Sequence, residues 1–176
     1  VAGVDHRYDG DFEFFVGGGV AAFDCDDDGL PDLYFAGGSQ RAALYRNDGG
    51  RFADVTHRLG VRPIGEVDAA MADLGGSQRP DLVQLSQNRI RISLWTGAGF
   101  TSVYERSVVD ARAVALGDVN GDGARDVFLQ RGSWQTNTPD LVLLNDGTGR
   151  SWTPIEPPSV QGGAPGGLVA FDHDGN

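Results

Sequence analysis

The sequence predicts an all-β protein assembled from repeated groups of short strands. Three observations indicate this class. The 27 glycines and 8 prolines follow no collagen-like period and therefore punctuate many short elements. Runs of β-branched and aromatic residues stand between them, and hydrophobic residues make up 40% of the chain, enough for a continuous core. An acidic loop also recurs at nearly constant intervals.

The acidic loop occurs four times and defines a repeat. Its first residue is Asp24, Asp73, Asp118 or Asp172, and these positions lie 49, 45 and 54 residues apart. This spacing is typical of a β-propeller blade, in which loops of variable length join four short strands. We predict repeats at 12–60, 61–109 and 110–160, with 161–176 incomplete.

The first strand of each unit is the short apolar run before the acidic loop. Three residues before the leading aspartate the side chain is small or β-branched: Ala21, Ala70, Ala115 and Val169. Small side chains suit the innermost strands of a propeller, which crowd around its axis. We therefore assign this run to the innermost position.

The second, third and fourth strands follow in a fixed order. The second-strand runs are 33–35, 82–85 and 127–129. A third run then leads into a Gly-rich hairpin and an aromatic residue, which is Phe52, Phe100 or Trp152. A β-sandwich with similar turns is the alternative, but this fixed order favours four-stranded blades.

The residues of two acidic loops match the needs of calcium. Alternate oxygens of a tightly curled loop can all face one hard cation, and Ca²⁺ takes 6 to 8 oxygen ligands. Carbonyls at position 7, from Leu30 and Ala124, would add to the side chains. Positions 1, 3, 5 and 9 hold Asp24, Asp26, Asp28 and Asp32 in the first loop, and Asp118, Asn120, Asp122 and Asp126 in the third. We predict one calcium ion in each loop.

These loops have two alternative interpretations. An EF-hand needs a bidentate Glu at position 12, where this chain has Phe35 or Leu129, so that motif is excluded. Solvated acidic turns without a metal are the second alternative. Several unneutralised carboxylates in one loop would repel each other, which favours a bound cation.

The second and fourth loops depart from the pattern. The second keeps Asp73 and Asp81 but has Gly75, Ser77 and Arg79 at positions 3, 5 and 7. We expect Arg79 to replace the cation's charge beside those two aspartates, leaving a metal-free loop. The fourth loop has a possible, incomplete metal site and would add a third calcium if completed; its residues are Asp172, Asp174 and Asn176.

Net charge and apolar content exclude several classes of partner. The formal net charge of −11 would repel nucleic acid and anionic lipid. No window approaches the roughly 20 apolar residues that span a bilayer, so we predict no membrane insertion. Cys25 is the only cysteine, so no intrachain disulfide can form.

The motifs DCDDDGLPDLYF, DVNGDGARDVFL and LYRNDGGRFADVT resemble FG-GAP or VCBS repeats, as in the integrin α-subunit propeller, with the stretch 8–35 most similar to bacterial cartilage acidic protein-like proteins. The resemblance implies a ring of about seven blades, of which this chain holds about three and the start of a fourth. The remaining blades would come from the same chain or from other subunits. It also implies a secreted, cell-surface or periplasmic location, where calcium is abundant.

The expected function is adhesion or binding to a protein or glycan partner, without catalysis. No nucleophile elbow, phosphate-binding Gly loop or HExxH motif is present. A propeller hydrolase or lyase with a site at the ring axis and a purely structural module are the alternatives. The partner site is predicted on the face opposite the calcium loops, at Arg131 and Trp134, because Arg and Trp are enriched at binding hot spots. The alternative is a long loop whose Trp134 only packs on its own blade.

Overall fold

The computed structural model describes residues 3–8, 19–132 and 136–157, and within these ranges the chain forms twelve β-strands and no helix. Each strand pairs antiparallel with the next in three four-stranded sheets. The first is β1 (Val20–Phe23), β2 (Asp32–Phe35), β3 (Ala43–Asn47) and β4 (Phe52–Asp54). The second is β5 (Asp68–Ala72), β6 (Asp81–Ser86), β7 (Arg89–Trp95) and β8 (Phe100–Ser107). The third is β9 (Ala111–Gly117), β10 (Asp126–Arg131), β11 (Leu141–Asn145) and β12 (Trp152–Ile155).

The three sheets are successive blades of a propeller fold, as the sequence predicted. Each blade lies within one predicted repeat range, and each fourth strand begins at the predicted aromatic residue. Because neighbouring strands are antiparallel, the first-to-second and third-to-fourth connections of a blade emerge at the same end. The acidic loops are the first-to-second connections and therefore share one face. None of the described segments is a helix that could cross a membrane.

The first strands of the blades lie side by side. β5 contacts both β1 and β9, and the backbone N–H of Val114 on β9 donates to Asp68 Oδ2 on β5 over 3.0 Å. The alanines predicted for this position, Ala21, Ala70 and Ala115, are half-buried or buried. Small side chains therefore do occupy the crowded inner strands.

Two apolar clusters fill the spaces between the blades. One joins the first and second blades and includes Leu44 and Leu82, and the other joins the second and third blades and includes Val83 and Leu143. Side chains alternate between the two faces of a strand, so neighbouring residues of β6 enter different clusters. All six residues of β6 are buried for this reason. The second blade is thus covered on both faces.

A buried polar network also joins the first and second blades. Glu66, fully buried just before β5, accepts hydrogen bonds from Tyr34 Oη on β2 (3.0 Å) and Gln84 Nε2 on β6 (2.5 Å). Burial, followed by the negative charge of Glu66, raises the pKa of Tyr34 well above its usual value. Tyr34 therefore stays protonated and continues to donate to Glu66.

The outermost strand of the second blade is largely exposed. β8 runs for eight residues, and Phe100 at its start is buried. Glu105 on this strand forms ion pairs with Arg91 (2.5 Å) and Arg89 (3.7 Å), both on β7. Charged side chains thus cover the outer part of the blade.

Candidate metal centre

The first acidic loop curls around the carboxylate of Asp24. Its oxygens accept backbone N–H groups from Asp26 (3.2 Å), Asp27 (2.7 Å) and Gly29 (2.8 Å). Gly29 has a φ of 82°, a left-handed conformation that favours glycine. Desolvation alone would raise the pKa of Asp24, but these backbone hydrogen bonds together hold it below its usual value. Asp24 thus stays ionised and fixes the curl.

Three carboxylates of this loop converge. One oxygen each from Asp24, Asp26 and Asp28 lies within 4.8 Å of the others, and these side chains are half-buried or exposed. Burial and then the charges of Asp28 and Asp32 raise the pKa of Asp26, while Arg46 partly opposes that rise. A cation among these oxygens would relieve their mutual repulsion. The donor set is all oxygen, as a hard ion such as Ca²⁺ requires.

The third loop has the same curl around Asp118. That carboxylate accepts N–H groups from Gly121 (2.8 Å), Asp122 (3.2 Å) and Gly123 (2.8 Å), and these bonds, led by that from Gly123, lower the pKa of Asp118. Asn120 Nδ2 donates to Asp122 Oδ2 over 2.8 Å. The side chains at positions 3 and 5 are therefore in contact here, and Asn120 Oδ1 accepts the backbone N–H of Asp122 over 3.1 Å.

The predicted position-7 ligands, Leu30 and Ala124, come two residues after the position-5 aspartates. The backbone N–H of Leu30 donates to Asp28 Oδ1 and that of Ala124 donates to Asp122 Oδ1, each over 2.8 Å. These bonds place both residues at the same point of their loops. Coordination by their carbonyls stays a prediction.

The aspartates at position 9 hold the loops onto their sheets. Asp32 is fully buried; Oδ2 accepts the N–H of Cys25 (2.7 Å) and Oδ1 that of Asn47 on β3 (2.7 Å). Asp126, also fully buried, accepts the N–H groups of Val119 (2.9 Å) and Asn145 (2.8 Å). Both predicted calcium ligands therefore have a second task that does not need a metal.

In the second loop, which lacks the predicted ligands at positions 3 and 5, the position-9 aspartate only accepts backbone hydrogen bonds. Asp81 is 1% exposed and accepts the N–H groups of Leu74 (2.9 Å), Gly75 (3.1 Å) and Trp95 (2.7 Å). Burial raises the pKa of Asp81, and these hydrogen bonds oppose the rise. This role of Asp81 was not predicted from the sequence. The sequence does contain a signal for this role. The second loop keeps its aspartates at positions 1 and 9 although it has lost the acids at positions 3 and 5.

A comparison with family models finds the FG-GAP-like repeat at residues 24–84. Those residues run from the first aspartate of the first acidic loop into β6 of the second blade. This segment is similar to the FG-GAP-like repeat family. The resemblance stated from the motifs is confirmed at this level, whereas a particular likeness to cartilage acidic protein-like proteins stays a prediction. None of the curated proteins matches the chain.

Among solved structures, one similar chain comes from work on the specific recognition of non-reducing terminal N-acetylglucosamine by an Agrocybe aegerita lectin. The sequence identity is 23% and the TM-score is 0.48. The match takes in 80% of this chain but 37% of the lectin chain. At this level of similarity it carries no information about what this chain binds.

The arginine of the second loop contacts the neighbouring repeat. We predicted that Arg79 would neutralise Asp73 and Asp81 within its own loop, and this is wrong. Its Nη2 lies 2.5 Å from Asp27 Oδ2 of the first loop. Asp73 instead accepts the backbone N–H groups of Ser77 (3.0 Å) and Gln78 (2.7 Å). The second FG-GAP-like loop is closed by backbone donors, so its arginine is free to bridge two blades.

Cys25 lies at position 2 of the first loop. It is 2% exposed, and burial, followed by the neighbouring Asp32, raises the pKa of its thiol far above the usual range. Because the thiolate is the nucleophilic form, this cysteine is unreactive in the folded FG-GAP-like repeat.

Arg131, one of the two predicted partner residues, lies apart from the acidic loops. Arg131 ends β10; its Nη2 donates to Glu156 Oε1 over 3.0 Å, and its side chain is 10% exposed. Its Nη2 is thus held within the third blade, whereas its Nε is buried without a hydrogen-bond partner among the described residues. The other predicted site residues lie outside the described residues: Trp134, Asp172, Asp174 and Asn176.

Proposed function

We propose that this chain is a calcium-stabilised binding module of FG-GAP-like blades that recognises a protein or glycan partner. The observation that carries the proposal is the convergence of three carboxylates in the first loop, with oxygens within 4.8 Å of one another. The third loop adds a matching arrangement around Asp118. Sites of this type suit a secreted, cell-surface or periplasmic protein, because calcium is plentiful there.

Calcium would act on the stability of the blades. Two bound ions would change the formal net charge from −11 to −7 and neutralise the loops where acids are most concentrated. An ion that binds the folded state alone stabilises it by about 2.7 kcal/mol at a hundredfold excess over Kd. Calcium would therefore stabilise the conformation of the face that carries the acidic loops.

Binding is proposed in preference to catalysis. The only thiol of the chain is buried and holds its proton, which removes the most reactive nucleophile from consideration. The acidic loops connect the first and second strands of the blades, and the first of them brings carboxylate oxygens together. Loops fixed in this way would give the protein a rigid surface for binding a partner.

Metal analysis after chelation and calcium reloading tests the calcium part. One ion is expected at each of the first and third loops, and Asp28→Ala or Asp122→Ala should each remove one. Ser77→Ala, at the corresponding position of the second loop, is the matched control and should remove none. Both aspartate variants should lower Tm in calcium and leave it nearly unchanged in chelator. Retention of no calcium by the unmodified chain would overturn the proposal.

The partner is sought separately with a glycan array and a panel of extracellular proteins, probed in calcium and in chelator. Binding is expected in calcium. Arg131→Ala and Trp134→Ala should weaken it without altering calcium affinity if the face opposite the loops is used. Loss of partner binding in Asp122→Ala, with Arg131→Ala and Trp134→Ala unaffected, would instead place the site on the calcium face.

A further inference from the structure

We propose that Arg46 is a built-in competitor for calcium, which weakens the first site by holding a positive charge against the ligand Asp26. This inference rests on the proposed function, because it concerns the affinity of a proposed site. Arg46 lies on β3, outside the acidic loop, and its Nε is 3.9 Å from Asp26 Oδ2. Its Nη2 is 2.6 Å from Asp48 Oδ1.

The position of Arg46 can be compared between blades. The residue that follows it, Asn47, donates its N–H to the position-9 aspartate, and so do Trp95 and Asn145 in the other blades. The residues equivalent to Arg46 are therefore Leu94 and Leu144. The first blade has a basic side chain where the second and third have leucine.

The contact geometry favours competition over a tight structural ion pair. A separation of 3.9 Å is too long for a hydrogen bond, and Arg46 Nε is buried without a hydrogen-bond partner among the described residues. Asp48 holds the other end of the guanidinium at a short distance. The positive charge is therefore anchored beside Asp26 by a residue that is not a predicted ligand.

A calcium ion bound by Asp26 would sit close to this fixed charge. Like charges at such a separation repel, and the repulsion is only partly screened because the Arg46 side chain is 28% exposed. Calcium must either bind against that repulsion or displace the guanidinium towards Asp48. Both routes lower the affinity of the first site relative to the same loop with leucine at position 46.

A second arginine provides the matched control. Arg79 pairs with Asp27, which is in the same loop but is not a predicted ligand. Removing Arg79 takes one positive charge from the neighbourhood of the loop without freeing a calcium-binding carboxylate. A general charge effect would make Arg46→Leu and Arg79→Leu equivalent, whereas competition for Asp26 makes Arg46→Leu the stronger of the two.

The experiment uses calcium titration calorimetry of the full chain carrying Asp122→Ala, so that the first site reports alone. Arg46→Leu should tighten calcium binding about three- to tenfold, and Arg79→Leu should have a smaller effect. Arg46→Gln is the second variant, because it removes the charge but keeps a polar side chain if leucine impairs folding. The reciprocal change, Leu144→Arg in an Asp28→Ala background, should weaken the third site.

The outcomes separate this inference from the proposed function. If the Asp122→Ala parent binds no calcium, the proposed first site is itself wrong. If the parent binds calcium but Arg46→Leu and Arg46→Gln leave the affinity unchanged, the site stands and the competitor role is overturned. Equal tightening by the Arg46 and Arg79 variants would also overturn it, in favour of a general charge effect.

Discussion

The aspartates of the acidic loops differ in their burial and in what their oxygens contact. Those at positions 1 and 9 accept backbone N–H groups in all three blades, including the blade without the other acids. The aspartates at position 9 are buried, whereas those at positions 1, 3 and 5 of the first loop are half-buried or exposed and have converging oxygens. Hydrogen bonds to the buried position-9 carboxylates stabilise the fold with or without calcium, whereas the converging carboxylates would do so when a cation is bound.

The first prediction concerns Asp81 at position 9 of the second loop. Asp81→Ala would leave the N–H groups of Leu74, Gly75 and Trp95 without their acceptor, so we expect the free energy of unfolding to fall by about 3 kcal/mol. The loss should be the same in calcium and in chelator, measured by urea denaturation. A loss confined to calcium would show that Asp81 belongs to a metal site.

At the scale of elements, the turn between the third and fourth strands fastens one blade to the preceding one. Asn145 Nδ2 donates to Leu74 O of the second blade (2.8 Å) and to Arg125 O of its own (3.1 Å). The equivalent Asn47 donates to Pro31 O within its own blade (3.1 Å). Both side chains thus donate a hydrogen bond to a carbonyl of their own blade, and Asn145 also donates one to the neighbouring blade.

The second prediction compares these two residues. Asn145→Ala and Asn47→Ala should both destabilise the protein, with Asn145→Ala the larger by about 1 kcal/mol, the contribution of one additional hydrogen bond. Denaturant midpoints at constant m-value measure the difference. Equal losses would mean that the bond between blades contributes nothing to stability.

A third prediction uses Cys25 as a reporter of the first loop. Its burial and raised thiol pKa should keep it unlabelled by a thiol reagent at pH 8 in the native protein, and labelling should follow transient opening of the loop. Calcium should slow that labelling because it binds the closed loop. An Asp28→Ala chain, as control, should label at the same rate with and without calcium.

Much of this element structure could be predicted from the sequence, and the reasons are local. Short β-rich runs and the hairpin aromatics gave the strand order, and the start of each fourth strand at Phe52, Phe100 and Trp152 was confirmed. The partner of Arg79 could not be predicted, because Asp27 is distant in sequence and meets it only when two blades pack. The backbone bonds of Asp32 and Asp126 were missed because calcium ligation already explained those residues.

For the whole molecule, the blade without the acids at positions 3 and 5 is the one covered on both faces. Its central strand β6 is buried along all six residues, whereas β1 of the first blade is half exposed. Within the described residues β6 is therefore enclosed by packing on both faces, whereas the first and third acidic loops are largely exposed.

The fourth prediction follows from this asymmetry. In hydrogen exchange, the amides of β6 should be among the slowest, and adding chelator should speed exchange in loops 24–31 and 118–125 with little change in β6. Mass spectrometry of peptides from each blade measures these rates. An equal acceleration of β6 on chelation would show that calcium stabilises all three blades as one unit.

The charged outer strand β8 also bears on how this molecule avoids aggregation. As the last strand of its sheet, β8 pairs with a strand of its blade on one side only, and beyond Phe100, whose N–H donates to Leu59 O, its outward backbone groups could template the addition of a strand from another chain. Glu105 and Arg106 are exposed on it, and Glu105 is further held by Arg89 and Arg91. A strand arriving at that edge would have to strip water from these charges. The ion pairs between β7 and β8 thus oppose aggregation. Replacing Glu105 with an apolar residue would favour edge-to-edge association of β8 with another chain.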